Sequence, residues 1–321
     1  MSELYSRAAR ELVHAVRGRR SQVALARRLG YRGNPVTDWE AGRSQPDAVE
    51  ILHAAQLARL PVVAAFERLH GGPVPRTSDG RVDLPSWLDA IRGSSSMAAL
   101  AHRLGRSRHC VRRWLSGESR IKLADFLELL DAVTGRAHDW VAELVPIEHV
   151  PALLEQHTRA SRAHTLALEL PWTEAILRVL ETSAYRRDPR RSEALIAAWL
   201  GIPVASVEAA LARLSEAGVL TRERGRYVVQ RELSIDTRST PEAGRQLRRH
   251  WLSAVLDRAR APHPSDWAAY NVMSLSRADL EHVRERLKAS YRELRSVVSA
   301  STPAEEVALV LIQLVHWPAP Q

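Results

Sequence analysis

One cysteine, Cys110, stands in 321 residues. Internal disulfides and any cysteine-based zinc cluster are thereby excluded, and the composition suits a reducing compartment, so a cytoplasmic location is expected. Phenylalanine is almost missing too, with two residues against nine Trp. Leu, Ala and Val dominate a 45% apolar composition, the palette of helix packing. No apolar run approaches the ~20 residues that a membrane helix needs. The stretch 307–315 comes closest and is interrupted by Gln313. The first thirteen residues mix Glu, Arg and Tyr, so no secretory leader and no membrane partner are expected. Gly71, Gly72 and Gly93 lack the neighbours of a phosphate-cradling loop. The 13 His show no paired-helix spacing supported by acids, and nothing resembles a nucleophile, base and orienter set. The expectation is therefore a non-enzyme with no cofactor and no metal.

Lysine is scarce as well, with Lys122 and Lys288 the two examples, so the net charge of +9 is carried by arginine. An excess of that sign points to an anionic partner. It is spread along the chain, which gives local clusters more weight than the total.

The N-terminal part reads twice. Residues 12–44 recur without gaps as 87–119, every partner 75 positions later, with fourteen of 33 positions identical. The matches include Ser21 with Ser96, Leu25 with Leu100, Ala26 with Ala101, Gly30 with Gly105, Val36 with Val111, Trp39 with Trp114 and Gly42 with Gly117. In each copy an opening helix meets a serine able to accept an orphan N–H at the start of a second helix. A glycine then supplies a left-handed turn. A third helix, starting after Arg32 or Ser107, buries Val and Trp. If those two face the core, Asn34, Thr37 and Asp38 in one copy, and His109, Arg112 and Arg113 in the other, face outward. Arg103, Arg106, Arg108, Arg112 and Arg113 fall within eleven residues that contain no carboxylate. Arginine can bridge guanine O6 and N7 or clamp a phosphate, so the second copy looks the better reader. Cys110 aligns with Pro35 as a small tolerated residue, oxidation sensing being its alternative reading.

The run from Ser21 to Gly30, then Asn34, Trp39-Glu40-Ala41-Gly42-Arg43 and Pro46, resembles the Cro/C1-type helix-turn-helix regulators, the XRE family. That resemblance implies that Ser21 and Gln22 meet the DNA backbone and that residues 32–38, with Arg32, Asn34 and Thr37, lie in the major groove. The second copy keeps the frame but carries Met97 in place of the Gln and Leu115 in place of the Glu.

Beyond the repeats, residues 171–230 have the helix, helix, turn, helix and strand-pair cadence of a winged helix. Arg222, Arg224 and Arg226 form its tip, and Arg186, Arg187, Arg190 and Arg191 lie in a loop before it. The last section reads as two long amphipathic helices with strand-like runs at 267–273 and 307–317. By layout the C-terminal half resembles an uncharacterised family of bacterial winged-helix regulators.

The fold class expected is mainly α, with tandem helix-turn-helix bundles, a winged helix and a C-terminal α+β module. The boundaries expected are 1–70 and 84–146 for the two heads, 71–83 for a linker, 147–170 for a helical connector, 171–230 for the winged helix and 231–321 for a dimerising or sensing module. The function expected is sequence-specific binding of double-stranded DNA in transcription regulation. The DNA-contacting residues expected are Ser21, Gln22, Arg32, Asn34, Thr37, Arg106, Arg108, His109, Arg112, Arg113, Arg222, Arg224 and Arg226. A homodimer through the C-terminal half and an unknown effector or protein partner complete the expectation. The alternative class is a protein-interaction adaptor, antitoxin-like or sequestering, favoured by Pro35, Asp38, Leu115 and Glu208 on or beside the reading helices.

Overall fold

Serine hydroxyls open equivalent helices in the two copies. Ser21 accepts from the Ala24 N–H at 3.1 Å and starts α2 (Gln22–Arg28); Ser96 accepts from Ala99 at 3.1 Å and starts α7 (Met97–Arg103). Both helices end at a glycine with positive φ, Gly30 at 86° and Gly105 at 58°, where a Cβ would be strained. The computed structural model, which describes residues 3–70, 74–92, 96–188, 192–230 and 241–317, is mainly α-helical. It divides into two compact units, Met1–His164 and Thr165–Arg231 with Ile235–Gln321.

In the first unit, one copy comprises α1 (Glu3–Arg17), α2, α3 (Pro35–Ala41), α4 (Ala48–Leu57) and α5 (Val62–His70). The other comprises α6 (Leu84–Arg92), α7, α8 (Arg108–Leu115), α9 (Leu123–Thr134) and α10 (Ala137–Leu144). α3 starts at Pro35 rather than directly after Arg32, because proline takes the first helical position without sacrificing a donor. Arg32 therefore lies in the turn.

The two copies do not fold as separate heads on a flexible linker. Their apolar residues form one core, centred on Phe66 from the first copy. The Phe66 ring packs edge-on at 4.5 Å from Trp87 and 5.3 Å from Trp140, and lies 6.2 Å from Phe126. Residues 74–83, placed in the expected linker, fold back instead. Val74 and Val82 are buried, and Asp83 N–H donates to Pro75 C=O at 2.9 Å.

The copies meet through equivalent positions. Ala48 N–H donates to Ile121 C=O at 2.9 Å, and Leu123 N–H donates to Pro46 C=O at 3.0 Å. The 75-residue offset of the repeat relates Ala48 to Leu123 and Pro46 to Ile121, so the exchange is reciprocal about a local two-fold axis, the arrangement of an isologous dimer within one chain. Asp47 and its equivalent Lys122 form a bridge on this axis, with an ion pair at 2.9 Å. Both sit at helix N-caps, and the Asp47 carboxylate offsets the positive ends of two helices brought together. Arg68 and its equivalent Glu143 also pair.

Beyond a 3₁₀ turn at Ile147–His149 runs α11 (Pro151–Glu169). Its first turn is held by the Glu11 carboxylate, which accepts from Ala152 N–H at 2.8 Å.

The second unit contains α12 (Thr173–Glu181), α13 (Ser183–Arg187), α14 (Ser192–Leu200), α15 (Val204–Glu216) and a hairpin of β1 (Leu220–Glu223) with β2 (Arg226–Val229). Ile176, Leu177, Ile196, Val207, Leu211, Leu214 and Leu220 form its core. The strands pair antiparallel from Leu220 opposite Val229 to Glu223 opposite Arg226. The two-residue turn needs positive φ at both positions, and Arg224 (48°) with Gly225 (82°) supplies it. Tyr227 N–H donates to the Tyr185 hydroxyl at 2.7 Å, and that hydroxyl donates to Tyr227 C=O at 3.2 Å, fixing the hairpin to α13.

The last section has two helices, α16 (Pro241–Arg260) and α17 (Arg277–Ala300). α16 buries Ala243 and Leu247, and His250 and Trp251 pack edge-on against Trp172. The expected β part of this module is not observed. Residues 267–273 and 307–317 are irregular, since a strand exists only through a ladder and neither has a ladder partner among the described residues. Trp267 and Tyr270 are consequently 87% and 94% exposed. Among the described residues no single helix is long and apolar enough to cross a membrane.

Candidate nucleic-acid interface

α8 presents the clearest candidate surface. Ser107 caps it by accepting from Cys110 N–H at 3.1 Å, and Val111, Trp114 and Leu115 bury its inner side. Helical spacing then places Arg108 with Arg112, and His109 with Arg113, on the outer side, and all four are exposed. Arg108, His109 and Arg113 have no ion-pair partner among the described residues. Arg112 lies 3.5 Å from Glu118, and both of those side chains are well exposed, so the pair is weak. Cys110, on the same helix, is a half-buried free thiol packed against the core.

Arg106 does not join this surface. It donates to Asp125 at 2.6 Å, tying the turn after α7 to the first turn of α9. The equivalent positions in the first copy are Tyr31 and Glu50, and they make the same tie. The Tyr31 hydroxyl donates to Glu50, and that bond, followed by burial, pushes the phenol up to about 12. Arg106 is thus a strut of the fold, which its place in an arginine-rich run concealed.

The corresponding surface of α3 is occupied by the protein itself. The Gln22 amide donates to Glu40 at 2.6 Å and accepts from the Thr37 hydroxyl at 2.9 Å, while Asn34 donates to Thr37 at 2.7 Å. Arg17 closes the network through Glu40 at 2.6 Å. Gln22, Asn34 and Thr37 are therefore engaged with one another rather than standing free for a ligand. Ser21 likewise spends its hydroxyl on its helix cap. Asp38 pairs with Arg43 at 2.7 Å, and Arg32 alone of this group is exposed without an ion-pair partner among the described residues.

The second copy replaces this network by apolar packing. Met97 stands for Gln22 and buried Leu115 for Glu40, and Arg112 and His109 stand for Thr37 and Asn34. Arg92, the equivalent of Arg17, turns to Asp89 at 2.9 Å. Removing the internal partners leaves position 112 free to carry an exposed cation. Leu115 belongs to the core, so its supposed contribution to a protein-binding surface is withdrawn.

The polar network makes a testable demand on pH. Burial opposes ionisation of Glu40, but the hydrogen bonds from Arg17 and Gln22 outweigh it and hold the carboxyl below its ordinary 4.5. A carboxylate depressed in the native state stabilises above its unfolded pKa and loses that contribution as pH falls through the native value. Glu40→Gln is expected to cost about 1–3 kcal/mol at pH 7. In urea titrations, the gap to the unsubstituted protein should begin to close below about pH 4.5.

In the second unit, α15 offers little positive charge. Its Ser206 and Glu208 are exposed, and Arg213 pairs with Glu169 at 2.6 Å. At the hairpin, Arg222, Arg224 and Arg226 are all exposed, with the Arg222 guanidinium 5.5 Å from the centre of the Tyr227 ring. Arg186 and Arg187 lie in helix α13 rather than in a loop, and Arg190 and Arg191 fall outside the described residues.

Folding also gathers a cluster of potential ligands that the sequence did not signal. His138 and Asp139 on α10 and His157 on α11 bring one ligand atom each within 4.8 Å of one another. The spacing of 18 residues between Asp139 and His157 carries no periodic signal, since the two helices meet only through folding.

Residues 167–316, just under half of the chain, match the family described as "Domain of unknown function (DUF4423)". Apart from residues 232–234, that stretch falls within the second unit. No curated protein and no solved structure matches the chain.

Proposed function

We propose that this protein is a transcriptional regulator that binds double-stranded DNA sequence-specifically through its first unit. The observation that carries the reading is the reciprocal pairing of the copies at Ala48–Ile121 and Leu123–Pro46, with exposed Arg108, His109, Arg112 and Arg113 on α8. Two helix-turn-helix units related by a two-fold are how dimeric regulators address two half-sites. Here one chain carries both halves. The resemblance of residues 12–70, carried by Ser21 to Pro46, to the Cro/C1-type regulators supports the same reading.

The two halves have unequal tasks. α8 reads bases with Arg112 and Arg113 and takes phosphates with Arg108, while α3 positions the protein through Arg32 and its helix surroundings. The arginines of the hairpin, Arg222, Arg224 and Arg226, add phosphate contacts. The C-terminal half belongs to the regulatory side of the molecule, as the seat of dimerisation or of an effector.

The test is selection from a randomised duplex pool with the full chain. One enriched motif is expected, and the Arg112→Ala/Arg113→Ala protein, matched for helicity by circular dichroism, should fail to enrich it. Enrichment of nothing, with weak binding erased by salt, would transfer the assignment to a protein-interaction adaptor.

A further inference from the structure

We propose that His138, Asp139 and His157 form a binding site for a first-row divalent cation of the zinc class. The site lies within the first unit, between α10 and the N-terminal half of α11, and uses none of the residues assigned to DNA.

The geometry carries the proposal. His138 Nδ1 lies 3.0 Å from Asp139 Oδ1, and His157 Nδ1 lies 3.6 Å from the same oxygen. Metal–ligand bonds of about 2.0–2.1 Å at tetrahedral angles separate neighbouring ligand atoms by about 3.3 Å, between those two values. The His138 side chain is 4% exposed. Its Nδ1 and that of His157 are both buried without a hydrogen-bond partner, although each faces a carboxylate oxygen. One ligand atom from each of the three residues, drawn from two helices, thus gathers within 4.8 Å of the others.

Charge and support fit as well. Arg136 Nε donates to Asp139 Oδ2 at 2.8 Å, fixing the carboxylate while leaving Oδ1 to the site, as partners behind a metal ligand do. Two imidazoles and one carboxylate select zinc-class ions over Mg2+ or Ca2+, which prefer all-oxygen sets. Three protein ligands leave a further position to water or a small anion. Bound there, the ion joins α10 to α11 and stabilises the unit by mass action.

The experiment is equilibrium dialysis and thermal melting of the untagged full-length chain with Zn2+ alone, repeated with Co2+ for its visible spectrum. Expected are one Zn2+ per chain, a rise in Tm with added metal, and a Co2+ absorption of low-coordinate nitrogen and oxygen ligation. His157→Ala removes a partly exposed ring and should fold. It and Asp139→Asn should weaken binding at least about tenfold and lose the Tm response. His282→Ala, on exposed α17, should match the unsubstituted chain. Binding by His157→Ala equal to that of the unsubstituted chain overturns the proposal, as does the absence of stoichiometric uptake.

Discussion

Phe66→Ala is expected to destabilise both copies of the repeat together, by about 3–5 kcal/mol. The ring is fully buried and touches Trp87 and Trp140, which belong to the other copy, as well as its own α5 surroundings. Deleting it removes apolar burial and leaves a cavity bounded by indoles that cannot collapse without tilting α6 and α10. Set against a typical stability of about 5–15 kcal/mol, the loss is large. Hydrogen exchange of the folded variant provides the readout. Amides of α7, α8 and α9 should lose protection in parallel with those of α2, α3 and α4. Loss confined to α1–α5 would show that the copies are independent after all, as two heads on a flexible linker would be.

Arg112→Ala/Arg113→Ala is expected to lower affinity for the selected duplex by about 30-fold to more than a thousandfold. A bidentate arginine–guanine contact contributes about 1–3 kcal/mol of discrimination, and each phosphate neutralised adds about 0.9 to the slope of log affinity against log salt. The two contributions separate experimentally. If both arginines read bases, affinity for the motif falls towards that for random duplex and the slope stays. If one grips phosphate, the slope falls by about one as well. Asn34→Ala, by contrast, removes a bond made within the protein to Thr37 and should leave the salt slope unchanged. Unaltered affinity of the double variant would remove α8 from the interface.

The sequence disclosed the repeat because glycine, serine and tryptophan recur where backbone sterics and capping need them, independently of neighbours. It also located α12, α14, α15 and the hairpin, through apolar periodicity and the arginine-rich tip between two short apolar runs. The joining of the copies was not legible. Phe66 and Trp140 lie outside the 33-residue match, and an apolar helix face such as that of Val62–His70 reads alike whether it covers its own bundle or a neighbour's. Side-chain allegiance was hidden for a related reason. Arg106 and Arg108 stand two positions apart in one arginine-rich run, yet only the first finds Asp125, which folding brings from 19 residues away. Gln22 carried the signature of a backbone-contacting residue, but Glu40 and Thr37 claim both ends of its amide. At 267–273 and 307–317 the residue types suggested strands, although residue type alone provides no ladder.

A dimer of identical subunits rests on a palindrome with no preferred sense, because turning it end for end restores the same complex. The pairing across Ala48–Ile121 keeps that layout but joins unlike halves, with α3 closed by its own network and α8 rich in exposed arginine. On the proposed function the preferred operator is then non-palindromic, and the bound molecule has a heading. One end of the operator is always beneath α8, so inverting the site relative to a promoter changes the regulatory outcome even when occupancy is identical.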